Sequence, residues 1–260
     1  MQVHNIDTFV APGMKGNPTA VVILDNGLTE SSMREIATEM NLPVTAFLQP
    51  SYSEEPHQIR YASITGEIPA CGHATLAAAG LVLTQRNSSS ETFQTGTGLI
   101  INSSREGDSI FMAYPRYEAK ATEINKATMI ALGLEYFTNG YFCQELETLF
   151  IELNDAVLLR GLDPDFKALT QSSNYIKEVV VMAISDNPSC DFQLRSFCPW
   201  IGIDEDPVTG SVHSFLAPLW ADRLQKNKLI AWQTSKQGGE VQLEVMKERV
   251  QIGGKMRLIH

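Results

Sequence analysis

Two short stretches of this chain combine proton-handling side chains with glycine. Cys71-Gly72-His73-Ala74-Thr75 runs into the apolar Leu76–Leu83, and Asp206-Pro207-Val208-Thr209-Gly210-Ser211-Val212-His213 runs into Phe215–Trp220. Each places small and hydrogen-bonding residues where the unpaired N–H groups of a helix start collect, a setting that attracts anions. Two such starts facing each other would make a cleft for a small carboxylate. His73 offers a proton or a hydrogen bond near neutral pH. Asp206, kept out of helix by Pro207, offers a carboxylate in a turn, to orient His73 or hold a substrate amine. Their structural alternatives are a histidine capping its own helix and an Asx-type turn. Cys71 is a further candidate, since a thiol at a helix start is activated; its alternative is a small buried residue. Glu67 is the nearest spare carboxylate. Gly72, Gly210, Ser211, Thr209 and Asn17 are candidate binding residues.

The elements around these stretches repeat. Gln58-Ile59-Arg60 precedes the first and Gln193-Leu194-Arg195 the second; Phe93-Gln94-Thr95 follows the first and Trp232-Gln233-Thr234 the second, each leading into a hairpin. A period this long means two similar domains rather than a repeat array. Alternation predicts a strand at 3–9, and further strands are expected at 19–24, 44–48, 58–63, 149–153, 178–184 and 192–197. Ser32 and Glu35 read as a capping box opening a helix to about Met40. Further helices are expected at 124–132 and 164–171. Polar, proline-bearing Pro115–Ala121 is the expected crossover. The domains are therefore 1–116 and 117–249, with a strand from 250 to 260 able to pack back on the first. The fold class is α+β, each domain a curved, mostly antiparallel sheet around one apolar helix.

Composition narrows the partners. A net charge of −10 over 260 residues argues against nucleic acid and anionic membranes. No apolar run is long enough for a membrane span, and the N-terminus lacks a signal-peptide pattern, so the default location is cytoplasmic. The four cysteines show no CxxC spacing and the histidines are scattered, which predicts reduced thiols and no metal site. No phosphate-cradling glycine motif is present. No GxSxG elbow accompanies Ser211, which argues against a hydrolase triad.

The residues resemble a known family. Asp7-Thr8-Phe9, Lys15-Gly16-Asn17-Pro18-Thr19, Cys71-Gly72-His73-Ala74-Thr75, Arg195-Ser196-Phe197-Cys198-Pro199, Glu205-Asp206-Pro207-Val208-Thr209-Gly210-Ser211 and Val250-Gln251-Ile252-Gly253-Gly254 are similar to the phenazine-biosynthesis PhzF-like family. The resemblance implies the diaminopimelate epimerase-like fold: two pseudo-twofold-related domains, each a barrel-like sheet around a central helix, with the site in the cleft between them. It also implies a cofactor-independent isomerase, often a homodimer, that moves a proton on a small amino-acid-like carboxylate. The family's acid/base glutamate falls on Val44, in Asn41-Leu42-Pro43-Val44-Thr45, and valine carries no proton. The family's frequent arginine before Gly-Gly is Gln237. Two other readings follow: a catalytically retired metabolite-binding protein, or a racemase or dehydratase working through Cys71, which aligns with a catalytic cysteine of related racemases.

Overall fold

The computed structural model describes Met1–Ile259. The chain divides into two compact units, Met1–Tyr114 together with the segment from Gln251 onward, and Pro115–Val250.

Unit 1 opens with β1 (Gln2–Val10) and β2 (Asn17–Ile23), then α1 (Glu30–Met40), β3 (Thr45–Gln49), β4 (His57–Ser63), β5 (Gly66–Ile68), α2 (Gly72–Arg86), β6 (Ser90–Thr95), β7 (Ile100–Glu106) and β8 (Ser109–Pro115). Unit 2 follows with β9 (Lys120–Ala121), α3 (Lys126–Leu132), β10 (Asn139–Cys143), β11 (Thr148–Leu153), α4 (Ala156–Arg160), α5 (Phe166–Gln171), β12 (Glu178–Ile184), β13 (Phe192–Cys198), β14 (Ile203–Glu205), α6 (His213–Leu224), β15 (Lys228–Gln233) and β16 (Gly239–Val245). The last strand, β17 (Arg249–Ile259), pairs with β1 and β8.

In unit 1 the ladder runs β8, β7, β6, β4, β3, β2, β1, β17 and back to β8, so the sheet closes on itself. Closure leaves no edge. Only β2–β3 and β4–β6 are parallel, and each such pair is spanned by a helix, as a parallel connection requires. The spanning helices differ in character. α1 is amphipathic and lays Met33 and Ala37 on Leu24, Phe47 and Ala62. α2 is buried from His73 to Leu83, which is why Leu76-Ala77-Ala78-Ala79-Gly80-Leu81-Val82-Leu83 has no polar face.

Unit 2 repeats this plan, with β10 to β13, β15 and β16 laddered in the same sequence and the same two parallel steps. Its central helix is α6, and α3, α4 and α5 take the place of α1 over the outer face. Pro218 lies inside α6 and has no N–H to offer the Ser214 carbonyl four residues back. The Tyr117 N–H donates to that carbonyl instead, at 3.0 Å.

Three local expectations need correction. α1 starts at Glu30, not Ser32, because the Thr29 side chain accepts the Ser32 N–H and is the cap. α3 and α5 instead start two residues later than expected, after Asn125 and Asp165, whose side chains accept the N–H of Thr128 and Ala168. The Phe93-Gln94-Thr95 and Trp232-Gln233-Thr234 tripeptides are not equivalent. Gln58 pairs with Gln94, whereas Gln193, its counterpart two residues before the arginine, pairs with Trp232. Gln94 therefore matches Trp232, and Thr95 matches Gln233. A one-residue slip turns every side chain to the other face, and burial agrees: Thr95 and Gln233 are both buried, Gln94 and Trp232 half-buried.

Candidate functional site

The first cluster sits at the head of α2. Cys71 is the N-cap in extended conformation and its side chain makes no capping bond. The first helical bond runs from the Thr75 N–H to the Cys71 carbonyl, 3.0 Å. The amides of Gly72, His73 and Ala74 thus lie in the turn that attracts negative charge. Asn17 is brought to this turn by β2. Gly16, at φ +80, passes so close to β1 that a Cβ would lie 2.1 Å from the Thr8 carbonyl oxygen. The Thr8 hydroxyl then donates to the Asn17 carbonyl, 3.1 Å.

Asn17 Nδ2 donates to His73 Nδ1 at 3.3 Å, and the Cys71 sulfur lies 3.4 Å from the same nitrogen. With Nδ1 accepting, the hydrogen belongs on Nε2, a tautomer assigned from the bonding pattern. Burial lowers the pKa of His73 to about 4. The expectation of a histidine titrating near neutrality is therefore overturned: no carboxylate offsets the loss of hydration among the causes of its shift. His73 is a neutral imidazole that offers Nε2–H as a hydrogen-bond donor. A neutral imidazole also gives Cys71 no cationic partner.

The second cluster sits at the head of α6. Gln233, from β15, clamps the turn: its Oε1 accepts the Thr209 N–H at 2.8 Å, and its Nε2 donates to the Asp206 carbonyl at 2.7 Å and to the Thr209 hydroxyl at 3.3 Å. The Thr209 hydroxyl donates to Asp206 Oδ2, 2.6 Å. The His213, Ser214 and Phe215 N–H groups bond back to Gly210, Ser211 and Val212, a tight 3-10 entry to α6. Asp206 N–H donates to the Ser196 carbonyl, 3.0 Å. Asp206, Thr209, Gly210 and Ser211 thus belong to one turn of unit 2; Asn17, Cys71, Gly72 and His73 belong to one turn of unit 1.

Sequence reasoning placed neither Glu178 nor Gln233 in the site. Glu178 heads β12 and is half-buried. The Thr148 hydroxyl donates to its Oε2 at 3.1 Å, and the Ser196 hydroxyl to its Oε1. Desolvation, with a smaller push from the neighbouring Asp206, raises its pKa to about 7. An acidic residue directly before the apolar run Val179-Val180-Val181-Met182-Ala183 was the available signal. Glu67 is held by Arg60, which donates from Nε to Oε1 at 2.7 Å and from Nη2 to Oε2; this ion pair lowers its pKa. Val44 is buried, 7% exposed, and its carbonyl accepts the Thr19 hydroxyl at 2.8 Å. None of the four cysteines forms a disulfide, and Cys143, Cys190 and Cys198 are buried. Among the described residues no helix is long and apolar enough to cross a membrane.

The two sheets wrapped around their central helices define an epimerase-fold protein. The family model described as "Phenazine biosynthesis-like protein" matches residues 6–259, and the chain belongs to that family. It is 33% identical over 252 residues to a protein named as an uncharacterized isomerase of Halalkalibacterium halodurans, covering 95% of this chain and 92% of that one. The crystal structure of a PhzF-family protein from Enterococcus faecalis superposes with a TM-score of 0.89 at 33% identity, covering 99% of this chain and 96% of that chain. The fold extends to a hydroxyproline epimerase of Agrobacterium vitis with bound trans-4-hydroxy-L-proline, TM-score 0.55 at 10% identity, covering 100% and 91%.

Proposed function

We propose that this chain is an isomerase that moves a proton on a small, amino-acid-like carboxylate, using its own side chains as acid and base. The observation that carries the reading is the neutral His73 at the head of α2, with Nδ1 accepting from Asn17 and Nε2–H able to donate. A neutral imidazole beside helix-start amides suits an anion whose charge grows during proton abstraction from carbon. Unit 2 carries a turn of its own, Asp206, Thr209, Gly210 and Ser211, whose shape Gln233 fixes. The membership of the family and the isomerase name of a 33% identical relative support the reaction class. The reading includes a homodimer, which sedimentation of the purified chain tests.

The experiment is proton NMR in heavy water, following deuterium uptake into dihydro-hydroxyanthranilate, trans-4-hydroxy-L-proline and a panel of small α-amino acids. The wild type exchanges a carbon-bound hydrogen of at least one probe. Silence across the panel overturns the reading. Val44, where the family carries glutamate, favours a second reading, a metabolite-binding protein without turnover. That protein would bind a probe calorimetrically and exchange nothing. The Cys71 route predicts that Cys71→Ser abolishes exchange; in the leading reading this variant keeps it.

A further inference from the structure

The internal repeat assigns a counterpart to Val44. Arg60 pairs with Phe47 across β4 and β3, and Arg195 pairs with Val181 across β13 and β12. The two arginines are equivalent beyond register. Each forks onto a glutamate, Glu67 or Glu205, and each sends Nη1 to a backbone carbonyl, Leu28 or Leu162. Three residues before Phe47 stands Val44. Three residues before Val181 stands Glu178. The strand on the other side agrees: Ala20 pairs with Thr45, which sets Thr19 beside Val44, and Thr148 pairs with Glu178. Both flanking residues are threonines, and both hydroxyls point to the residue in question, Thr19 to the Val44 carbonyl and Thr148 to the Glu178 carboxylate.

The face agrees as well. Val179, Val181 and Ala183 belong to the core under α3, α4 and α5. The alternate residues turn toward α6, because Phe150, paired with Val180, packs on Phe215 at 4.8 Å. Glu178 therefore stands on the side of β12 that faces α6, near Asp206.

We propose that Glu178 is the acid/base residue of this chain, carrying in unit 2 the carboxyl that position 44 of unit 1 lacks. The proposal rests on the isomerase reading above. The Glu178 carboxylate takes a proton from a carbon of the substrate, and the C–H electron pair stays on the substrate as a carboxylate-stabilised carbanion. The resulting carboxylic acid, whose O–H exchanges with water, returns a proton to a carbon of the same anion, so no further reactant is needed. A carboxyl that ionises near pH 7 suits both halves of this exchange. The titratable groups around it are Asp206, whose charge raises its pKa, and the Cys198 thiol of β13, itself pushed up mainly by burial. Flanking residues Lys177 and Glu147 form an ion pair with each other.

The test compares wild type, Glu178→Gln, Glu178→Asp and Val44→Glu in the deuterium-exchange assay, with probe binding measured by calorimetry. Glu178→Gln is expected to lose about 100-fold or more in exchange rate while still binding the probe, and Glu178→Asp to recover part of it. Val44→Glu is expected to gain nothing. If Glu178→Gln exchanges at the wild-type rate, the proposal falls and the isomerase reading stands. A wild type silent on every probe removes the isomerase reading and this proposal with it, and a gain of exchange in Val44→Glu then places the lost function at position 44. Should Glu178→Gln fail to fold, Ser196→Ala gives the answer. It removes a hydrogen bond that favours the Glu178 carboxylate, so the acidic limb of the pH–rate profile, where this base becomes protonated, moves to higher pH. An unmoved profile overturns the assignment.

Discussion

Val44 in unit 1 and Glu178 in unit 2 stand at one position of a repeated strand, each beside a threonine and three residues before the partner of a glutamate-forking arginine. Valine fills its place with apolar bulk and is buried. The glutamate stays half-buried and is held by two hydroxyls. The repeated frame accepts either residue because backbone ladders on both sides, not this side chain, hold the strand in place. Duplication thus supplies two places for one chemical task, and filling one is enough. The two units differ elsewhere in the same spirit. Arg60 and Glu67 are seven residues apart, Arg195 and Glu205 ten, and the three extra residues form the 3-10 turn Pro199–Ile201. At the turn itself, Gln233 clamps Thr209 and Asp206, while its counterpart Thr95 bonds to Thr97 and to the Leu99 N–H.

The sharpest way to break the comparison is the Glu178→Gln and Val44→Glu pair described above, with the largest expected change in rate. Next comes Gly210→Trp, which puts a bulky side chain into the second turn. It is expected to abolish probe binding in calorimetry, and unchanged binding would remove this turn from the site. The two arginine forks sharpen the comparison at the level of stability. Arg195 is 11% exposed and Arg60 36%. Arg195→Ala is therefore expected to cost about 2 kcal/mol, from leaving a half-buried Glu205 without its partner, and Arg60→Ala about 1 kcal/mol, read from urea denaturation. Equal losses would mean that burial does not distinguish the forks.

The remaining effects are in pH dependence, and their signs oppose. Glu178 has a raised pKa, so the folded chain keeps a proton that the unfolded chain releases. Its contribution to stability is present below the ordinary 4.5 and is lost as pH rises to about 7. Glu178→Gln should flatten that fall. His73 and His213 have lowered values, about 4 and about 3, from burial. The unfolded chain takes up their protons first, so stability falls as pH drops below 6.5. Among the described residues neither His213 ring nitrogen has a hydrogen-bond partner, and His213→Leu should make the acid fall shallower in thermal melts. An unchanged acid slope in that variant would count against a neutral buried ring.

Much of this protein was legible before any coordinates. Strong local signals did it: the unbroken apolar run after His73 implied a helix buried all round, and the order of strand, arginine, glycine turn and helix, seen twice, implied two similar halves. The glycine turns marked helix starts because unpaired amides need small or polar neighbours. Family motifs and the valine at position 44 were also plain in the residues. The tertiary structure decided what depends on pairing register and on burial. Register made Thr95, not Gln94, the counterpart of Gln233, since alternate residues face opposite sides and only the neighbouring strand fixes which. Register also aligned Glu178 with Val44, a match hidden in the sequence because the two segments share no motif. Burial turned His73 from a group expected to titrate near neutrality into a neutral donor, and raised Glu178 into the range where a carboxyl both takes and gives a proton. Both effects come from distant parts of the chain displacing water from the side chain, which no local pattern records.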